Sequence, residues 1–258
     1  MSATQYLDLF AEHYDLFHSG KDYAAEAGFL AQRLHAHRPG CQQLLELACG
    51  TGGHAFALEK LGFHVTATDY STAMIARAQA KQQQSGSAVR FATADMRALA
   101  LADGSFDAAV SLFDAIGYVL TNDALLATLR GVHRCLRPAG VFIFEFWHGP
   151  AMLRRFDPVR VRHWPTPGGR LLRISETSLD VRQQIGTVRY SIYQHNDDGS
   201  YRAYAEEHRN RFFSVPEMAG WLGQAGFTPL EWCAGFSADA AIDGDAWHIL
   251  GVARKNAG

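Results

Sequence analysis

Hydrophobic positions in the first half of the chain switch repeatedly between a helical and an extended spacing. Tyr23, Ala27, Leu30 and Leu34 recur at the spacing of an amphipathic helix, which Pro39-Gly40 closes. Leu44 to Leu47 reads as a strand, Gly53 to Lys60 as a helix, His64 to Thr68 as a strand and Ser71 to Gln82 as a helix. Ala88 to Thr93 and Phe106 to Leu112 read as two further strands. Asn122 is placed to cap the next helix, which carries Leu125, Leu129, Val132 and Leu136 on one face and stops at Pro138. Gly140 then leads into Val141-Phe142-Ile143-Phe144-Glu145-Phe146, a mostly apolar run typical of a strand covered on both faces. This alternation predicts a parallel sheet sandwiched by helices.

Beyond the fifth strand the pattern changes. Leu171 to Leu179, Gly186 to His195 and Tyr201 to Phe213 are rich in β-branched and aromatic residues, and Asn196-Asp197-Asp198-Gly199 joins the last two as a hairpin. A small three-stranded antiparallel sheet is therefore expected within residues 151–213, lying over the mouth of the main sheet as a lid. The Pro and Gly residues of His163 to Gly169 mark a loop. A helix near Ser214 to Ala225, a turn at Gly226-Phe227 into a strand, and a last strand from Ala246 to Arg254 follow. Residues 1–258 read as a single domain carrying that insertion.

A chain of 258 residues, 48% hydrophobic with a formal net charge of -2, can bury a large core. No stretch approaches about 18 consecutive apolar residues, and the N-terminal residues lack a secretory pattern, so the cytoplasm is the expected compartment. Balanced charge without like-charged blocks argues against nucleic-acid or bilayer partners and for a small-molecule substrate, with the protein a monomer or homodimer. Cys41, Cys49, Cys135 and Cys233 have no metal-ligand spacing and read as free thiols. The twelve histidines are scattered, so no metal is expected.

Glu46-Leu47-Ala48-Cys49-Gly50-Thr51-Gly52-Gly53-His54 sits where the first strand turns into its helix, and its glycines let the backbone approach a ligand. Asp69 ends the second strand where an acid would accept hydrogen bonds from a ribose diol. Both features would also suit NAD. Glu46 breaks the tie, because a negative charge there repels a pyrophosphate and attracts a ligand bearing an ammonium and a sulfonium. Asp95-Met96, after the third strand, adds an acceptor for an adenine amino group beside a thioether that can pack on the ring.

With these motifs the chain resembles the class I S-adenosylmethionine-dependent methyltransferases. Tyr14-Asp15-Leu16-Phe17, Lys21-Asp22-Tyr23-Ala24-Ala25-Glu26, Glu145-Phe146-Trp147-His148-Gly149-Pro150 and Glu207-His208-Arg209-Asn210-Arg211-Phe212-Phe213 extend the likeness to enzymes of surface-polysaccharide and antibiotic-sugar pathways. The resemblance implies a doubly wound, Rossmann-like α/β fold with a mostly parallel seven-stranded sheet. It implies S-adenosyl-L-methionine as cofactor, held by Tyr14, Tyr23, Glu46, Ala48, Cys49, Gly50, Gly52, His54, Asp69, Tyr70, Met74, Asp95, Met96 and Leu112. The reaction implied is in-line transfer of a methyl group to N or O of a small polar metabolite, chiefly an amino or hydroxyl group of a nucleotide-linked sugar. Where several aminosugar enzymes carry a histidine after the fourth strand, this chain reads Phe113-Asp114-Ala115-Ile116-Gly117-Tyr118.

Candidate bases are Glu145, His148 and His208, and Tyr14 is the candidate hydroxyl near the transferring methyl. A carboxylate ending an apolar strand is costly unless paired or used, which singles out Glu145. His208 shares a strand face with Glu206 and Asn210, and a solvated sheet face is its plain alternative. Phe113, Asp114, Tyr118, Trp147, Arg160, Arg162 and Arg211 are the candidate substrate contacts, with Arg160 and Arg162 suited to a diphosphate. Competing classes are a methyltransferase of another small secondary metabolite, a nicotinamide-dependent oxidoreductase, and a non-catalytic cofactor-binding protein. A nucleic-acid methyltransferase would need a Pro-Pro-Tyr/Trp clamp or a Pro-Cys nucleophile, and neither run occurs.

Overall fold

The computed structural model of the protein describes residues 8–256. Helices α1 (Asp8–Phe17) and α2 (Tyr23–His37) precede β1 (Gln43–Leu47), α3 (Gly53–Lys60), β2 (His64–Asp69), α4 (Thr72–Ser85) and β3 (Arg90–Thr93). Then come β4 (Phe106–Ser111), α5 (Asn122–Cys135), β5 (Leu136–Trp147) and a short α6 (Gly149–Arg154). Strands β6 (Val159–Thr166), β7 (Gly169–Asp180), β8 (Ile185–Asn196) and β9 (Tyr201–Arg211) lead to α7 (Val215–Gln224), β10 (Phe227–Ala234) and β11 (His248–Lys255).

The main sheet runs β10-β11-β5-β4-β1-β2-β3, parallel from β5 to β3, with β11 antiparallel to both of its neighbours. Strand order reverses between β1 and β4, so the loops leaving their C-terminal ends diverge and open a crevice there. Both sheet faces are covered. Leu44 packs with Leu30, Leu34 and Leu58 on one side, while Leu45 packs with Leu129, Phe142 and Leu222 on the other. Burial on both faces is why β1 and β5 read as continuous apolar runs without alternation.

The second sheet has four strands, in the order β6-β7-β8-β9, not three. Strand β6 occupies most of the segment expected as a loop, because its residues are largely solvent-exposed on both faces and leave no buried alternation to detect. As an edge strand it also tolerates Pro165, opposite Arg170. The cap of α5 is Thr121, whose hydroxyl accepts from Ala124 N at 3.3 Å, and not Asn122. The Asn122 side chain is occupied instead in accepting from Arg211 Nη1 at 2.7 Å.

Two contacts seat this sheet on the mouth of the main one. Phe10 and Phe17 of α1 form an apolar cluster with Met74 of α4, Leu171 of β7 and Ile192 of β8. Asn210 of β9 donates to the carbonyl of Asp114 at 3.0 Å, just before the 3-10 turn Ala115–Tyr118 that follows β4. Gly117 in that turn lies so close to β9 that a Cβ would collide with the Asn210 amide and come within 2.7 Å of the Arg211 carbonyl. Gly117→Ala should therefore destabilise the fold by about 1–3 kcal/mol, the usual range for overpacking. A thermal melt should show a fall of several degrees, and an unchanged Tm would refute this close approach.

Candidate active site

A cavity opens at the C-terminal ends of β1 to β4, with Ala48 and Gly50 at its floor and Asp69, Asp95 and Tyr118 on its walls. The β1 turn is bent by positive φ at Ala48 (53°) and Gly50 (56°). Asp69 holds it in place: Oδ2 accepts from Gly50 N and Oδ1 from Ser71 N, both at 2.8 Å. A Cβ on Gly50 would sit 3.5 Å from the Tyr14 hydroxyl and narrow the cavity. Gly52 and Gly53 serve packing, since Cβ atoms there would run into Phe91 and Tyr23 respectively.

Glu46 lies beneath this turn, 2% exposed, and its Oε2 has no hydrogen-bond partner among the described residues. Burial, reinforced by the Asp69 charge, pushes its carboxyl up to about 8. An orphaned buried carboxylate beside a glycine-floored cavity fits a cationic ligand and opposes a pyrophosphate. At the cavity's other wall Arg97 grips Asp95 through Nε and Nη2 at 2.7–3.0 Å and holds its carboxyl below the usual range. The Arg97 guanidinium in turn lies 5.6 Å from the Tyr70 ring. Asp95, Met96, Tyr70, Ser71 and Met74 together line this wall of the cavity, with Asp69 beside them.

The far end is aromatic. Tyr14, Phe113 and Tyr118 line it with Leu112, and burial, aided by the phenols of Tyr23 and Tyr118, pushes the Tyr14 phenol well up. Behind Phe113 the backbone is strained, with φ of 57° at both Phe113 and Asp114. That bend directs Phe113 N to donate to Glu145 Oε2 at 2.6 Å and sets Asp114 2.8 Å from His248 Nδ1. Burial and the neighbouring Asp114 raise Glu145 to about 7. Burial opposes charge on His248, but Asp114 outweighs it and lifts the imidazole to about 9. Asp114, Glu145 and His248 are the described side chains that converge as metal ligands would. His248 Nδ1 lies 2.8 Å from Asp114 and 3.8 Å from Glu145, so the raised imidazole favours its charged form beside the two acids.

Other residues singled out in the sequence lie elsewhere. His54 is bonded to Glu26 Oε2 at 2.6 Å, Tyr23 packs edge-on against His54, and buried Cys49 donates its backbone N–H to Thr68, so these three brace the turn from behind. His148 is buried and bonds the Ala246 carbonyl at 3.0 Å, away from the cavity. Trp147 packs over Gly186 of β8. Arg160 pairs with Asp157 on the surface, and Arg211 is clamped between Asn122 and Glu217. Arg162 stands opposite Arg173 in the β6–β7 register. His208 is not solvated: with Glu206 and Asn210 it is buried, because that face of β9 packs on α1 and the turn after β4.

Sequence reasoning missed His18, Lys21, Arg173, Glu206 and His248 as parts of this region. His18 packs against Tyr14 and Phe113 at 4.5 and 4.9 Å, and burial together with the Arg173 and Lys21 charges lowers it to about 4. Its position four residues after Tyr14, on the same helical side, was the available signal. Lys21 lies 4.4 Å from the Phe113 ring and pairs with Glu26. No local pattern could have joined His248 to Asp114.

A family model described as a methyltransferase domain matches residues 44–140. The chain is 31% identical over 220 residues to the dTDP-4-amino-2,3,4,6-tetradeoxy-D-glucose N,N-dimethyltransferase of Saccharopolyspora spinosa, covering 84% of each protein. It is 30% identical to the dTDP-3-amino-3,6-dideoxy-alpha-D-glucopyranose N,N-dimethyltransferase of Streptomyces fradiae, covering 84% of this chain and 83% of that one. Among solved structures, DesVI of Streptomyces venezuelae superposes with a TM-score of 0.78 at 26% identity, over 96% of this chain and 98% of the other. The chain belongs to the S-adenosylmethionine-dependent methyltransferases. It is an enzyme of that class, with S-adenosyl-L-methionine as its cofactor.

Glu46 gives a test of the cofactor cradle. Its folded-state pKa of about 8 lies above the ordinary 4.5, so between those values the native protein holds a proton that the unfolded chain has lost. Stability of the cofactor-free protein therefore falls as pH rises through that window. Glu46→Gln should raise the Tm of cofactor-free protein at pH ~8 and change it little at pH ~5. Losing a charge-assisted contact should weaken cofactor binding about 10- to 100-fold. Calorimetry showing undiminished affinity would remove Glu46 from the site.

Proposed function

We propose that this enzyme methylates the amino nitrogen of a nucleotide-linked sugar in the cytoplasm. The observation that carries this reading is the neutral, aromatic lining of the acceptor end. Tyr14, Phe113 and Tyr118 form it, whereas Glu145 and Asp114 stand behind Phe113 and do not line the cavity. A sugar hydroxyl would need a strong base in contact with it; an amine needs only to lose its charge, which transfer into a desolvated aromatic cavity favours. The bound cofactor supplies an electrophilic methyl group on a sulfonium.

The chain's own residues align the acceptor. Glu145 fixes Phe113 through its N–H, and the Phe113 ring then faces the acceptor opposite Tyr14. Holding lone pair and methyl in line can account for several kcal/mol of barrier reduction, up to about 7–11 in intramolecular models. The four-stranded sheet acts as the lid that excludes water. On its α1-facing side Arg162 and Arg173 lie opposite one another, and neither has an acidic partner within salt-bridge distance among the described residues. We assign to that pair the acceptor's diphosphate, which guanidinium groups match in geometry. The dimethyltransferase relatives, whose names specify dTDP-linked amino sugars, support the same reading.

The test is incubation with cofactor and paired dTDP-sugars bearing an amine or a hydroxyl at the same carbon, read by mass spectrometry. The amino sugar should gain one or two methyl groups and its hydroxyl counterpart none; the reverse would refute the proposal. Arg162→Ala should raise KM for the sugar nucleotide about tenfold or more, as loss of a charge-assisted bond implies, while leaving cofactor affinity unchanged. An unaltered KM would exclude the arginine pair.

A further inference from the structure

We propose that Tyr118, His208 and Glu206 form a proton relay that removes the proton set free when the acceptor nitrogen is methylated; the inference rests on the amine reading above. The Tyr118 ring lines the cavity, and its hydroxyl lies 3.1 Å from His208 Nδ1. His208 Nε2 lies 2.6 Å from Glu206 Oε1, and both residues are buried on β9. With the Glu206 carboxylate accepting from Nε2–H, Nδ1 carries the lone pair and accepts the Tyr118 O–H. In the relay the phenolic oxygen is the atom that receives the acceptor's proton.

The surroundings keep this chain of bonds dry and aligned. Phe10 of α1 lies 5.0 Å from the His208 ring and Tyr190 of β8 stands edge-on at 5.1 Å. Among the described residues, the polar and charged groups facing these side chains include Tyr14 from α1, Tyr190 from β8, Arg173 from β7 against Tyr190, and Tyr204 from β9 itself. Gly117, one residue before Tyr118, is the close-approach glycine, so Tyr118 reaches His208 only because the turn presses against β9. This pairing is not an incidental surface contact, since a buried imidazole with both nitrogens engaged is held in one tautomer.

The proton balance is simple. The acceptor nitrogen's lone pair forms the N–CH3 bond as the C–S bond breaks, its electron pair remaining on sulfur, and the nitrogen becomes an ammonium. Its N–H proton passes to Tyr118 Oη while the phenolic proton passes to His208 Nδ1. Glu206 offsets the charge of the resulting imidazolium, and the proton leaves when the product does.

The experiment compares kcat against pH for wild type, Tyr118→Phe, Glu206→Gln and Glu206→Asp with an amino-sugar acceptor, alongside S-adenosylhomocysteine affinity and ¹⁵N chemical shifts of His208. Tyr118→Phe should lower kcat about 100-fold, within the usual range for proton transfer, and move the acidic limb to higher pH with ligand affinity preserved. Glu206→Gln should lower kcat and Glu206→Asp restore part of it. Tyr118→Phe with the kcat and pH profile of wild type would overturn the relay, even if the Glu206 variants fail to fold. Should wild type methylate no amine, the amine reading fails by itself, and the His208 shifts then decide the relay: an Nδ1–H tautomer would refute it.

Discussion

The site depends on one buried carboxylate and the two backbone amides it accepts from. Asp69, at the end of β2, ties down Gly50 at the end of β1 and Ser71 at the start of α4. Those bonds hold the glycine turn in its positive-φ path, and Oε2 of the neighbouring Glu46 has no hydrogen-bond partner among the described residues. Two acids this close are tolerated because backbone N–H groups satisfy one of them while burial, with the Asp69 charge, raises the other's pKa and favours its neutral form.

A second layer of bonds fixes the cradle to its cover. Thr51 in the glycine turn donates to Asp15 of α1 at 2.6 Å, and Lys81 of α4 pairs with the same carboxylate. Helix α1 thus carries Tyr14 over the turn while its Phe10 and Phe17 anchor the antiparallel sheet. On the opposite side, Asn210 bonds the Asp114 carbonyl where the backbone is strained. The glycine turn, the segment 113–118 and the antiparallel sheet are in this way parts of one bonded frame.

Much of the fold was legible locally. The strands of the parallel sheet and the helices between them follow from hydrophobic spacing, and Asp69, Glu46 and Asp95 stand where strand ends place them. What escaped was exposed or non-local. Strand β6 is solvated on both faces, so period-two burial left no trace, and the N-cap of α5, expected at Asn122, falls on Thr121 because the Asn122 side chain is bonded to Arg211. The face of β9 bearing Glu206, His208 and Asn210 has the composition of a solvated one and is buried, because its polar groups find partners on another element.

By itself the sequence determined the parallel sheet, the inserted antiparallel one and the glycine turn with acids at the neighbouring strand ends, since these follow from spacing within single strand-turn-helix units. Only the tertiary structure decided which side chains meet at the acceptor end. Tyr118 finds His208 across 90 residues, and His248 finds Asp114 on a strand that enters the sheet antiparallel. Such pairings depend on how the two sheets dock and on where the chain crosses over. Those are packing outcomes, and periodicity along the chain carries no record of them.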